Sequence, residues 1–442
     1  MNDESRSGSP GRRGRTLLGL GLRTAVRSAW VGARGLLPGE VDSSAALRAL
    51  GADWVQTLGQ LKGAAMKLGQ FASLLRGALP DAVVNQLEAL QQQAHPLPFD
   101  EIAPLIEAQC GALDRQFASI EPQALAAASM GQVHRARLRD GRAVVIKVRY
   151  PGVRNAIDED LRQLARIIKS ARVLRIDAAS LDASLAEIRA RLHEEADYRI
   201  ERRHLARFAT DTRVPGIHLP EAVDALCGES VLVLTEHPAL RLSEACAAPL
   251  PQRQQWSVTL TRWLLHQLLT TGLIHADPNP GNFGFLPDGH VVLYDFGCVK
   301  TLTPALVDQL RQALRHGMAQ DWPAVHAALV GLGTLTAAGA ERLDALTPLY
   351  QATHEAALGC LLAAPQYDFA QDQIHEQMRA LAPLHFRHIR DFRSAPELLF
   401  AGRTLSGYYW MLRQLAASLP LPALLDEALA TPVRPVDSTP AA

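Results

Sequence analysis

The densest chemistry in this 442-residue chain lies in two neighbouring stretches, Gly272-Leu-Ile-His-Ala-Asp-Pro-Asn-Pro-Gly-Asn282 and Val291-Val-Leu-Tyr-Asp-Phe-Gly297. His275, Asp277 and Asn282 stand at the spacing H-x-D-x-x-x-x-N, and Asp295-Phe296-Gly297 follows within a short span. Phosphoryl transfer accounts for that pattern. It needs one carboxylate to orient the attacking hydroxyl or water, and an amide oxygen with a second carboxylate to hold magnesium on the phosphates. In a chain with 15 histidines an H-x-D triplet alone carries little weight. Three elements in the right order and spacing carry the reading.

The upstream half agrees with it. Val144-Val-Ile-Lys147 ends a β-type run on a lysine, the arrangement that places an ammonium on the α/β-phosphates and pairs it with a helical glutamate. Tyr198, Glu201, Leu205 and Phe208 share one helix face, which puts Glu201 in an apolar stripe. Glu195 falls in the same way on the stripe of Leu185, Ile188 and Leu192. A carboxylate on a buried face needs a partner, and Lys147 is the one expected for Glu201. The competing reading, exposed acids of a highly charged helix, stays open at this level. The expected Gly-x-Gly-x-x-Gly before the lysine strand is replaced by Ala126-Ala127-Ala128-Ser129-Met130-Gly131-Gln132. Alanine Cβ atoms oppose positive φ and hold such a loop off the phosphates, so nucleotide geometry should differ from that of an ordinary kinase.

These residues need elements to position them. Residues 132–138 and 142–148 are runs of β-formers joined through Asp140-Gly141, a hairpin signal. A long helix is expected over about 182–208 and a strand over 231–235, running into Glu236-His237-Pro238. From Gln252 onward the pattern is mostly helical, apart from the Asn/Pro/Gly-rich loop 277–282 and a strand over 290–294. Upstream, Trp54, Leu58, Leu61, Ala65, Leu68, Ala72 and Leu75 recur at steps of three and four. Gly59, Gly63 and Gly69 interrupt this stripe, each costing about 1 kcal/mol relative to Ala, and suggest close approach of another backbone or a ligand. Residues 17–36 carry Arg23, Arg27 and Arg34 on one side and Leu18, Leu22, Ala25 and Val26 on another. That pattern fits an amphipathic helix lying on an anionic membrane or packed on the protein.

Composition narrows the classes. Lys plus Arg and Asp plus Glu are both 45, which argues against a general nucleic-acid binder. Five cysteines without a CxxC pair fit neither a disulfide framework nor a zinc site. No uncharged apolar run reaches the roughly 18 residues of a membrane span, and the start lacks a secretory h-region, so a cytoplasmic protein with at most peripheral membrane contact is expected.

The set Lys67-Leu-Gly-Gln70, Ala126-Ala-Ala-Ser129, Val145-Ile-Lys147, Glu195-Ala-Asp197, Glu201, His275 to Asn282 and Asp295-Phe-Gly297 resembles the UbiB/AarF family of atypical, protein-kinase-like proteins. The resemblance runs from about residue 45 to 300. It implies an α+β, two-lobed kinase-like fold with a small β-rich N-lobe, a helical C-lobe and an N-terminal helical extension covering the active site. The expected division is a basic tail over 1–40, the extension over 41–107, the N-lobe over 108–236, the C-lobe over 237–335 and a helical C-terminal extension over 336–442. By resemblance, Asp277, Lys147 and Glu201 are catalytic, and Asn282 and Asp295 bind metal. Ala126, Ala127, Ala128, Ser129, Lys147 and Glu236 contact ATP or ADP, and Lys67, Gln70, Glu195 and Asp197 form the cover. The implied activity is that of a magnesium-dependent ATPase supporting ubiquinone biosynthesis, with a prenyl lipid or quinone precursor and quinone-biosynthesis proteins as partners. A phosphotransferase acting on a small molecule or lipid, and a nucleotide-gated scaffold, are the alternatives. The chain departs from the family's frequent pattern in having no C-terminal membrane-spanning segment, and no A-P-E element follows Gly297.

Overall fold

The computed structural model describes residues 96–127, 130–170, 178–393 and 395–434. The tail, the amphipathic stretch 17–36, most of the extension 41–107 with Lys67 and Gln70, and Ala128 and Ser129 lie outside the described residues. The described chain is mixed helix and strand, and it clusters into two compact units. Residues up to Ile200 and Ala222–Glu236 form the first; Glu201–Glu221 and His237–Ala442 form the second. The stretch Glu201–Glu221 therefore groups with the second unit and not with the rest of 108–236.

The first unit is built on an antiparallel sheet of β1 (Phe117–Ile120), β2 (Ala126–Ala127), β3 (Gly131–Leu138), β4 (Ala143–Arg149) and β6 (Val231–Thr235); the intervening β5 (Ile217–His218) belongs to the second unit. The order is β1-β3-β4-β6, with β2 also on β3. The β3–β4 hairpin turns at Gly141, whose φ of 92° is the left-handed conformation glycine takes readily. Alternate residues Val144, Ile146 and Val148 are fully buried, so Val145, Lys147 and Arg149 point to the other face. Helix α1 (Phe99–Cys110) covers the buried face through Ile102 and Ile106, and it runs across the boundary expected at 107.

The single helix expected over 182–208 is two helices, α2 (Ala178–Glu195) and α3 (Tyr198–Asp211). Asp197 makes the break: its carboxylate accepts the Arg199 backbone N–H at 3.0 Å, which satisfies an otherwise orphaned donor of the new helix. The helical periodicity on each side is as expected, with Leu185, Ile188 and Leu192 buried before the break and Tyr198, Leu205 and Phe208 after it.

The core of the second unit is aromatic: Phe208, Trp256, Trp263, Phe283, Phe285, Phe296 and Tyr408 are fully buried. Helix α4 (Leu250–His266) runs into a π turn (Gln267–Thr271) that ends at Gly272, with φ of 70°. A Cβ there would sit 2.8 Å from Val307 Cγ2 and 3.0 Å from the Leu302 carbonyl oxygen, so the close approach also demands glycine. Strand β7 (Leu273–His275) follows, then the loop with Asp277, β8 (Phe283–Phe285), β9 (Val291–Leu293) and β10 (Val299–Thr301). β8 and β9 form an antiparallel hairpin, β5 adds to β9 in parallel, and β10 pairs with β7. Helix α5 (Pro304–Met318) is capped by the Thr303 hydroxyl, which accepts the Leu306 N–H at 3.3 Å. Helix α6 (Pro396–Leu415) packs back on β7. No helix among the described residues is long and apolar enough to cross a membrane.

Candidate active site

In the second unit the π turn and strand β7 deliver His275 into the core. Gln267 is fully buried; its side-chain oxygen accepts the His275 backbone N–H at 2.6 Å and its amide donates to the Trp263 carbonyl at 3.2 Å. One π turn inserted into a helix is a frequent device for re-aiming side chains at functional sites. The His275 ring lies edge-on to Phe283 and Phe296, and its Nε2 meets the backbone carbonyl of Asp295. His275 thus reacts with nothing exposed. It ties the loop that carries Asp277 to the segment that carries Asp295.

Asp277 and Asn282 meet directly. The Asn282 amide donates to Asp277 Oδ2 at 2.9 Å and to the Asp277 carbonyl at 3.2 Å. The turn between them is fixed by Asn279, whose side chain accepts the Gly281 N–H at 3.0 Å. Asp277 Oδ1 accepts from Arg403 Nη2 on α6 at 3.0 Å, and both carboxylate oxygens are therefore held. Asp277, Asn282 and Asp295 are all half-buried, whereas His275 and Phe296 are fully buried. Asp295 Oδ1 accepts the Gly297 N–H at 2.9 Å. Glu201 is buried, and its carboxylate accepts the Phe296 N–H at 3.2 Å, while His204 Nδ1 donates to the Phe296 carbonyl at 2.9 Å. Helix α3 thus grips both backbone groups of Phe296. Glu201 supports the Asp295-Phe-Gly turn, a contact that the sequence did not suggest.

In the first unit Lys147 sits half-buried on β4, its ammonium 5.7 Å from the Tyr198 ring centroid. Gly131, which closes the alanine-rich segment, has the Val148 carbonyl and the Tyr198 hydroxyl so near that a Cβ would lie 2.4 Å and 2.7 Å from them. Ala126 and Ala127 are extended and paired with Gln132 and Val133. Glu236 is committed to an ion pair with Arg135 at 2.7 Å. Glu195, half-buried, ends α2. Asp197 binds Arg199 at 2.8 Å; burial pushes its carboxyl up, but the hydrogen bonds from the Arg199 side chain and backbone N–H, with the Arg199 and Arg154 charges, together hold it below the ordinary value. Around them Arg149 reaches the Ala196 carbonyl, and Glu229 collects Arg149 at 3.1 Å and Arg154 at 2.8 Å.

The structure brings Asp277, Asn282, the Asp295 backbone and Glu201 into one connected network. Arg403 and Gly407, which touch the Asp277–Asn282 loop from α6, belong to it as well. No motif announces either, since Arg403 lies 126 residues beyond its partner.

The donor atoms suit a hard cation. Asn282 spends its amide nitrogen on Asp277, which leaves its Oδ1 as an acceptor; with the carboxylates of Asp277 and Asp295 it offers oxygen donors of the kind magnesium takes.

Comparison with known proteins identifies the family. The model of the ABC1 atypical kinase-like domain matches residues 89–329. The chain is 32% identical over 300 residues to an uncharacterized aarF domain-containing protein kinase of Arabidopsis thaliana, covering 66% of this chain and 42% of that protein. It is 29% identical over 377 residues to the mitochondrial atypical kinase COQ8B of Rattus norvegicus, covering 83% of this chain and 69% of that one. The chain spans less than half the length of its chloroplast relatives. Among solved structures, the Rv3197–erythromycin complex from Mycobacterium tuberculosis superposes with a TM-score of 0.60 at 25% identity, covering 85% of this chain and 94% of that one. With more than half of its length matched by that domain, and with the motif residues from Ala126 to Gly297 inside the match, the chain belongs to the ABC1 atypical kinase-like family, the UbiB/AarF family of its motifs.

Proposed function

We propose that this protein binds ATP or ADP with magnesium and transfers the terminal phosphoryl group to water, as an ATPase that supports isoprenoid-quinone biosynthesis. The observation that carries the reading is the Asp277–Asn282 hydrogen bond at 2.9 Å, coupled through His275 to the backbone of Asp295. Asp277 and Asn282 are the side chains that orient the nucleophile and bind the counterion in kinase-like folds, and the hydrogen bond between them with the His275 tie to the Asp295 backbone supports the same roles here. Asp277, with one oxygen fixed by Asn282 and the other by Arg403, is the group that would orient the attacking oxygen and receive its proton. Asn282 and Asp295 would hold magnesium, which neutralises charge on the phosphate oxygens when bound. Lys147 is assigned to the α/β-phosphates by its V-V-I-K motif, and the segment 126–129 to the nucleotide. The quinone context and any prenyl-lipid partner follow from the family alone.

The test is Asp295→Asn in the full chain. The Gly297 N–H that Asp295 Oδ1 accepts can also be taken by an amide oxygen, and melting curves of the variant without nucleotide check that the fold survives. Thermal-shift titration with ATP and ADP should show a magnesium-dependent stabilisation in the parent that is absent in the variant. Equal magnesium-dependent shifts in both would refute the metal assignment. Appearance of label in an added lipid or small molecule, in place of free phosphate, would replace water by that acceptor.

A further inference from the structure

We propose that His218, Asp288 and His290 form a binding site for a single divalent transition ion of the zinc class, distinct from the magnesium position. One donor atom from each of the three lies within 4.8 Å of the other two. The residues come from segments about seventy positions apart, and the sheet register brings them together. His218 pairs with Val292 across the parallel β5–β9 ladder, and His290 stands two positions before Val292, so both histidines lie on the same face. Their ring centroids are 4.6 Å apart, and His290 Nδ1 is 2.8 Å from Asp288 Oδ2.

The turn that presents Asp288 and His290 is well defined. Asp288 Oδ1 accepts the His290 N–H at 3.1 Å, which leaves Oδ2 for the site. Gly289, at φ of 87°, donates to the Leu286 carbonyl at 3.1 Å, and its own carbonyl accepts the Thr259 hydroxyl at 3.3 Å. A Cβ at Gly289 would lie 2.7 Å from Gln255 Oε1, so helix α4 backs the turn closely. The two histidines are half-buried and Asp288 is exposed, which gives an ion both a partly shielded position and an entry path.

Two imidazoles and a carboxylate select against magnesium and calcium, which take all-oxygen shells, and favour Zn²⁺ or a neighbour in the first transition row. Bonds of about 2.0–2.1 Å put tetrahedral donors about 3.4 Å apart, so binding needs only a modest contraction of side chains already gathered. Three protein ligands leave the fourth position for water. The ion would tie β5 to the turn end of the β8–β9 hairpin. Asn282 and Asp295 flank the opposite end of that hairpin, so the site would brace the catalytic segment from behind without touching it.

The experiment uses the full chain after chelation, in excess magnesium, titrated with Co²⁺ as a coloured stand-in and then competed with Zn²⁺. The parent should take up one equivalent with tetrahedral visible bands, lost on adding Zn²⁺. His218→Gln should weaken that equivalent at least about a hundredfold, since even outer partners of metal ligands are worth about 10–100-fold. Asp288→Asn keeps an oxygen for the His290 N–H, so the turn should persist, and it too should weaken binding; melting curves without metal check folding in both. His316→Gln, which alters a histidine remote in sequence from the cluster, should bind as the parent does. An unaltered titration in His218→Gln and Asp288→Asn, or no tight equivalent in the parent, would overturn the proposal and leave Asp288–His290 as a plain ion pair.

Discussion

Gly407 lies where helix α6 crosses the Asp277–Asn282 loop, and a single methyl there tests whether the loop's position governs the proposed turnover. A Cβ at Gly407 would fall 2.4 Å from both Cβ and Cγ of Pro278, the residue directly after Asp277. Carbon atoms pack at about 3.5–4.0 Å, so helix and loop must separate by about 1 Å or more. Proline is fixed in its ring and cannot swing aside, so the backbone must move. Overpacking of this kind costs about 1–3 kcal/mol, from which roughly 1 kcal/mol is recovered because alanine is the better helix former. The net loss of stability is therefore small, about 0–2 kcal/mol. The catalytic effect is larger, because displacing a reacting group by about 1 Å can cost about a hundredfold in rate. Gly402 supplies the control, since on the same helix a Cβ there meets nothing within 4 Å. Gly402→Ala should raise the melting temperature slightly and leave phosphate release unchanged. Gly407→Ala should retain the fold and lose most of its turnover. If the two variants release phosphate at the parental rate, the docking of α6 on the loop has no catalytic meaning.

Other substitutions probe the same network. Arg403→Gln removes the charge 3.0 Å from Asp277 Oδ1; because the pair is partly exposed the stability change should stay below about 1 kcal/mol, whereas the phosphate-release rate should drop about tenfold, and an unchanged rate would make the contact incidental. Gly131→Ala would drive a methyl to 2.4 Å from the Val148 carbonyl and should lower the melting temperature by several degrees; equal stability would show that β3 and β4 can part there freely. Asp158 bridges the helix Val153–Ser170 to α2, hydrogen-bonded by Arg189 at 2.7 Å and His193 at 2.9 Å, and these partners bring its carboxyl down to about 2. A carboxyl depressed in the folded state stabilises above its ordinary value of about 3.9 and loses that contribution as pH falls toward 2. Amide exchange in these two helices should accelerate over that interval in the parent and show no such step in Asp158→Asn. The effect is small, since Arg189 is largely exposed.

How far the sequence reveals this site depends on the range over which each contact acts. Asp277, Asn282 and Asp295 are legible because their partners are local: a five-residue turn joins the first two, and a short hairpin returns the third. The hairpin of β3 and β4 is legible for the same reason, through Asp140-Gly141 and alternating apolar residues. Periodicity puts Glu201 in an apolar stripe but does not give the contact that it makes there, because backbone N–H groups such as that of Phe296 have no sequence signature. The break at Asp197 is hidden because apolar residues continue at helical spacing on both sides, and only the side chain's competition for the Arg199 N–H ends one helix and starts the next. Arg403 and Gly407 are the far limit. An arginine and a glycine in an amphipathic helix are unremarkable in isolation, and both lie beyond the residues matched by the family domain. Their importance exists only once tertiary packing sets α6 against Pro278. A kinase-like catalytic loop can therefore be recognised from a dozen residues, while the helix that holds it in register belongs to a part of the chain where the family motifs are silent.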